Sequence, residues 1–426
     1  MKLNRLFALL LALMMVFATV AMAEDVATTP SNDDVIVTVN GDVVTYGEIV
    51  DIASNLASTY SQYGYDINDP SLISYLSDMA LDFAVQYKLM DQQAALRGYD
   101  QFTEEELAAL EADAAAQWAS IVDTYVNYYG GLTAESTEDD VIAARTQMIA
   151  MLETSGYTEA MLLQTLKENA AYERLEADMV AGATVTDADV LAAYEDHVAQ
   201  DEAAYKDDVA TYEYMTQYYG ETSYYIPEGY RGITHILLEV DATMLSDYET
   251  LLATFEEEQG AIEAGEEVTP TVTQEQIDAA QAALIESVKE TTDEIYAKLA
   301  EGAAFADLIY AYGTDPGMLD PTNAAEGYPV HMDSIAWDPA FVKAAYSINE
   351  VGEWSEPFLG SYGVHIVYYL RDVPSGAVEL TDALKADLHA TLLSDKENAL
   401  FNEQMQIWFD EAEIVYTEAP AAEAAE

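Results

Sequence analysis

The spacing of apolar residues changes once along this chain, near residue 229, and that change dictates the architecture. From about residue 46 to 219 apolar positions recur at helical spacing. Beyond it glycine, proline and β-branched residues become frequent, and short strand-like runs replace long helices. Any fold must therefore join a helical portion to a compact α+β portion. The chain is 426 residues long and 51% hydrophobic, enough for two or three domains with cores of their own.

The helical portion is punctuated by local signals. Val35–Val39 alternates like a strand, Asn40-Gly41 supplies a hairpin turn into Val43-Val44, and Thr45 with Glu48 forms a capping box. Asp69-Pro70 starts a helix with an expected apolar stripe of Leu72, Tyr75, Leu76, Met79 and Phe83, which stops at Gly98. Thr103 with Glu106 and Thr186 with Asp189 are further capping boxes. Gly130-Gly131, Gly156 and Gly182 fall where helices should end. No fixed-period repeat is visible, which argues against a solenoid.

The amino terminus carries an export signal. Lys2 and Arg5 precede an apolar run from Leu6 to Ala21, and Ala21-Met22-Ala23 offers small residues at a cleavage site. We read residues 1–23 as a signal peptide, 24–34 as a flexible leader and 418–426 as a disordered acidic tail.

In the second portion Tyr230–Val240 reads as a strand, and residues 241–288, rich in Glu, Ala and Gln, read as helical. Residues 274–301 return to helix, Asp338-Pro339 starts a short helix through Tyr346, and Glu353–Pro357 and Val364–Leu370 read as closing strands. The order suggests a sheet covered by helices on one face. A last helix, about 380–411, precedes a possible strand Glu413–Tyr416. Pairing of that strand with Val35–Val39 would bring both chain ends into one domain.

Composition removes several classes of chemistry. With 15 Lys+Arg against 79 Asp+Glu, the formal net charge of −64 repels phosphate backbones and argues against nucleic acid as a partner. With no cysteine there is no disulfide, thiolate nucleophile, cysteine-ligated zinc or lipid-modified cysteine anchor. Phosphate-binding loops, a dinucleotide-binding G-x-G-x-x-G, an H-E-x-x-H metal motif and an EF-hand loop do not occur, so no cofactor is expected. Gly360-Ser361-Tyr362-Gly363 is one residue short of a G-x-S-x-G elbow.

Two of the five histidines stand in near-matching frames, Ile233-Thr234-His235-Ile236 and Gly363-Val364-His365-Ile366. On a strand each histidine points away from its apolar sequence neighbours. Between them lie the turn-rich Tyr312–Gly317 and the aromatics Trp337, Phe341 and Tyr346, spaced by four and five.

These residues carry a resemblance. YRGITHILLEV, IYAKLAEGAAFADLIYAYGTDPG and DPAFVKAAYSINEVGEWSEPFLGSYGVHIVYYL occur in the order found in parvulin-type peptidyl-prolyl cis–trans isomerase domains, and 230–371 resembles such a domain. The flanks, VTVNGDVVTYGEI above all, resemble extracytoplasmic foldases of the SurA/PrsA type. The resemblance implies an α+β parvulin-type small antiparallel sheet with covering helices, inserted between parts of a mainly helical chaperone domain. The implied division is 35–228 helical amino-terminal chaperone domain, 229–375 isomerase domain with 241–288 as an insertion, and 376–417 completing the chaperone domain.

It also implies roles. His235, Asp315 and His365 would form the polar floor of a catalytic site, and Trp337, Phe341 and Tyr346 the wall that receives a proline ring. The partners would be unfolded or nascent exported polypeptides with X–Pro bonds. Residues 241–288 contain no Lys or Arg, which argues for unphosphorylated targets. The chain departs from the family in its glycine-rich loop, here Glu326-Gly327-Tyr328-Pro329-Val330, in the insertion, and in lacking a lipobox cysteine. The competing reading is a binding-only extracytoplasmic chaperone whose parvulin domain is inactive. A third is an acidic wall-associated or ligand-binding protein.

Overall fold

The computed structural model describes residues 30–133 and 135–417. The expected signal peptide, residues 24–29 of the expected leader and the 418–426 tail lie outside them. Of that leader, residues 30–34 form a turn in which the Ser31 carbonyl accepts the Asp34 amide at 2.9 Å. The chain divides into two compact units, one running to Val185 and resuming at His389, the other spanning Thr186–Leu388. The architecture is mostly helical with small antiparallel sheets.

In the first unit the strands Val35–Val39 and Asp42–Thr45 form a hairpin. Its turn is Asn40-Gly41, both at positive φ, as a tight two-residue hairpin requires. Ile414–Tyr416 adds antiparallel to the other edge of Val35–Val39, with Val37 opposite Tyr416 and Val39 opposite Ile414. The two ends of the chain therefore share one sheet. Its inner residues Val37, Val39 and Val44 pack with Leu89, Leu175, Met405 and Trp408 from the helices Pro70–Arg97, Glu159–Met179 and Asp382–Glu411. A second cluster joins Val122 and Val126 of Glu104–Tyr129 to Ala144, Met148 and Leu152 of Glu138–Thr154.

The helix boundaries follow the capping signals. Thr45, Thr103 and Thr186 each accept the amide three residues on, while the Glu48, Glu106 or Asp189 side chain returns to the cap amide. Gly98 ends its helix in the left-handed conformation. In the Pro70–Arg97 helix, Tyr75 is 52% exposed rather than part of the apolar stripe, and the stripe runs instead through Leu76, Ala80, Ala84, Leu89 and Ala94. Among the described residues no helix is long and apolar enough to cross a membrane.

The second unit is built on a four-stranded antiparallel sheet in the order Tyr328–Val330, Arg231–Leu238, Gly363–Asp372, Phe358–Gly360. The expectation of helices on one face is corrected: both faces are covered. Ile236, Leu238 and Ile366 pack against Ile295, Leu299, Phe305 and Leu308 from the helices Lys289–Ala300 and Phe305–Tyr312. Ile233, Val330, Val367 and Tyr369 pack on the other side against Phe341, Val342, Ala345 and Ile348, around the helix Pro339–Ser347. The polar letters Thr234 and His235 mask a strand buried on both sides.

Two strand expectations are also corrected. Glu353–Pro357 makes a single bridge, Trp354 to Tyr368, and the edge strand is Phe358–Gly360. The ladder breaks because the Ser355 hydroxyl accepts the Val367 amide at 3.1 Å, the Ser355 carbonyl accepts the Tyr296 hydroxyl at 2.8 Å, and Pro357 has no N–H. Conversely Tyr328–Val330, expected as part of a loop, is a strand. Its central Pro329 is tolerated because the strand lies at the sheet edge.

The 241–288 segment folds as two helices, Ala242–Glu263 and Gln274–Ser287. Leu284, Ile285, Leu245 and Tyr248 dock it on Leu359 and Val364. The expected 274–301 helix is broken at Val288.

Candidate functional site

Antiparallel pairing sets the two histidines on one face of the sheet. His235 lies opposite Val367 and Leu237 opposite His365, so the histidines are diagonal neighbours across adjacent strands. Their rings are nearly parallel with centroids 5.1 Å apart, and Nδ1 faces Nδ1 at 3.0 Å. Both are buried.

Asp315 arrives from the loop after the helix Phe305–Tyr312. Thr314 anchors that loop by donating its amide (3.0 Å) and hydroxyl (3.1 Å) to the Leu237 carbonyl, at the end of the histidine strand. The Asp315 carboxylate then meets His235 Nε2 at 2.8 Å. It also accepts the Tyr328 hydroxyl at 2.9 Å and the Gly317 amide at 3.0 Å. The hydrogen bond from His235 is the chief reason that its carboxyl is held down at about 2, against the upward push of partial burial.

An ionised Asp315 only accepts, so His235 carries a proton on Nε2, and the two facing Nδ1 atoms share one proton between the rings. Burial, reinforced by the neighbouring His235, pushes His365 down to about 4, which keeps this ring neutral at ordinary pH. The result is a continuous line of hydrogen bonds that links His365, His235 and the Asp315 carboxylate.

Aromatic rings surround it. Phe341 presents a near-perpendicular ring to His235 at 5.2 Å and to His365 at 5.8 Å, and Phe358 stacks on His365 at 5.3 Å. Trp337 lies over Tyr328 at 4.8 Å and over Phe341 at 5.8 Å, and its indole N–H donates to the Pro329 carbonyl at 2.9 Å. Asp338 caps the Pro339–Ser347 helix through the Ala340 amide and takes the Ser361 amide and hydroxyl at 2.7 and 2.8 Å, which ties that helix to the turn before His365.

Two glycines make room. An added methyl at Gly317 would overlap the Tyr328 hydroxyl, and one at Gly327 would lie 2.7 Å from the Ile233 amide nitrogen. Gly327 also sits at φ 76°, so this strand contact requires a glycine twice over.

Of the expected residues, the fold brings together His235, Asp315, His365, Trp337 and Phe341. Tyr346 is engaged elsewhere: its ring lies 4.3 Å from the Arg231 guanidinium and its hydroxyl donates to the Gly229 and Val330 carbonyls. Sequence reasoning missed Tyr328 and Phe358. Tyr328 stood inside the altered glycine loop, where its aromatic character was the available signal. Among the described residues, no three His, Asp or Glu side chains converge as metal ligands.

Residues 271–371 match the family model described as Rotamase, the PPIC-type PPIASE domain. The His235 strand precedes the matched segment. The chain is 37% identical over 113 residues to foldase protein PrsA 2 of Listeria monocytogenes, covering 26% of this chain and 35% of that protein. It is 25% identical over 127 residues to foldase protein PrsA of Clostridium kluyveri, covering 30% and 36%. The match thus spans about a third of the length of these curated relatives. A solved structure of PrsA from Bacillus subtilis is similar at 19% identity, covering 90% of this chain and 94% of that one, with a TM-score of 0.21.

Proposed function

We propose that this chain is an exported peptidyl-prolyl cis–trans isomerase and foldase that acts on unphosphorylated X–Pro bonds of unfolded secreted polypeptides. The premise is the parvulin-type domain and the likeness to PrsA foldases. The observation that carries it is the His365–His235–Asp315 chain set within a wall of Trp337, Phe341 and Tyr328.

Rotation about an X–Pro bond is opposed by amide resonance, a barrier of roughly 18–20 kcal/mol, and takes tens of seconds or more without help. No bond need be broken. The aromatic wall holds the proline ring, and the neutral His365 adds no competing charge. A planar amide concentrates negative charge on its oxygen, and the twisted transition state relinquishes it. A fixed carboxylate beside that oxygen disfavours the planar form more than the twisted one. Lowering the barrier by about 5–6 kcal/mol would give roughly 10⁴-fold acceleration.

The test is an isomerisation assay on short X–Pro peptides, with the intact protein and with His235→Ala, Asp315→Ala and His365→Ala. We expect the wild type to accelerate exchange and each variant to lose most of it, with no gain from a phosphorylated residue before proline. Unchanged rates in all three variants would remove the site assignment. A wild type that suppresses aggregation without isomerising peptides would favour the binding-only chaperone.

A further inference from the structure

Glu213 lies outside the 271–371 segment that matches the family model, in a region read from sequence as part of the helical amino-terminal domain. It ends the short helix Val209–Glu213, inside the same compact unit as the histidine site. Its side chain is 1% exposed and accepts four hydrogen bonds. Oε1 takes the Tyr230 hydroxyl at 3.0 Å. Oε2 takes the Ser334 hydroxyl at 2.9 Å, the Ile335 amide at 2.8 Å and the Ala336 amide at 3.1 Å. All four donors are neutral, and the three on the loop are consecutive, forming a concavity closed around one carboxylate oxygen.

The next residue is Trp337. Its indole is tethered on one side to the Pro329 carbonyl, and its ring lies on Tyr328 and Phe341. On the other side, the backbone leading into it is held by Glu213. We infer that Glu213 is a positioning residue of the proline-binding wall, fixing the 334–336 loop and through it the plane of the Trp337 ring. This deepens the isomerase reading and rests on it. A neutral apolar side chain of the same volume could fill the space, but it would leave three consecutive loop donors without their shared acceptor.

The experiment compares Glu213→Gln with Glu213→Leu in the full chain labelled with 5-fluorotryptophan, whose four ¹⁹F resonances are assigned by single Trp→Phe replacements. Gln keeps an oxygen for the loop amides and can donate its NH₂ to the Tyr230 hydroxyl; Leu keeps volume without an acceptor. For Glu213→Leu we expect KM for an X–Pro peptide to rise about tenfold with kcat changed less than about twofold, because the wall loosens while the histidine chain persists. The Trp337 resonance should shift and broaden while those of Trp118 and Trp408 stay in place. Glu213→Gln should restore both readouts. A Leu variant with wild-type KM and an unmoved Trp337 resonance, or a Gln variant as impaired as Leu, overturns the inference. If the wild type does not isomerise peptides, the isomerase reading falls, and the Trp337 resonance still decides whether Glu213 holds the loop. If Glu213→Leu does not fold, Glu213→Gln combined with Ser334→Ala should displace the same resonance, and an unmoved resonance there also overturns the inference.

Discussion

Replacing His365 with leucine should flatten the acid limb of this domain's stability. His365 is buried between His235, Phe341 and Phe358, and its pKa falls from an ordinary 6.5 to about 4 on folding. Between those values the unfolded chain binds a proton that the folded one refuses. Stability from this group is therefore fully present above about pH 6.5 and is lost as pH falls towards 4. A shift of that size corresponds to on the order of 3 kcal/mol. With so many carboxylates the absolute pH profile is a sum over many groups, so the informative quantity is the difference between wild type and His365→Leu. Urea unfolding, followed through the ¹⁹F resonances of Trp337 and Trp354, reports the unit that contains the site. The wild-type advantage at pH 7.5 should shrink by about that amount at pH 4.5. Parallel profiles would refute the reasoning, as would a His365 imidazole that titrates near 6.5 by NMR.

Two further substitutions probe the geometry around the site. Gly327→Ala forces a side chain into φ 76° with its Cβ 2.7 Å from the Ile233 amide nitrogen, and should cost about 2 kcal/mol or more in urea unfolding; an unchanged midpoint would contradict the close approach. Tyr328→Phe removes one hydrogen bond from the Asp315 carboxylate, so its pKa, now about 2, should move up towards 3.8 in a ¹³C carboxyl titration, and a value left in place would show that the hydroxyl does not stabilise the anion.

Much of what could be read from sequence was local, the pairing of the last strand with Val35–Val39 apart. Thr45 with Glu48 and Thr103 with Glu106 act over three residues, so the capping boxes emerge as written. The diagonal pairing of His235 and His365 was foreshadowed by their matching strand frames. Asp315 was identifiable through family resemblance, because its placement depends on Thr314 reaching Leu237 across 77 residues. Glu213 was missed because its loop donors lie more than 120 residues away, Tyr328 because it stood in a segment read as a loop, and Phe358 because the strand pairing with His365 was expected one segment earlier, at Glu353–Pro357. Pro329 hid an edge strand because proline reads as a breaker unless the sheet order is known. Ser355 diverted the expected strand by substituting a hydroxyl for a carbonyl.

The pairing of Val37 with Tyr416 has a consequence for the order of assembly. The second unit is one contiguous stretch, Thr186–Leu388, and can fold from contacts made within itself. The first unit cannot complete its sheet until residue 416 is available, because the free edge of Val35–Val39 waits for Ile414–Tyr416. A chain delivered amino terminus first thus presents an open strand edge until that strand arrives. Among the described residues this pairing closes the longest stretch of intervening chain, and that step should set the pace of folding for the unit.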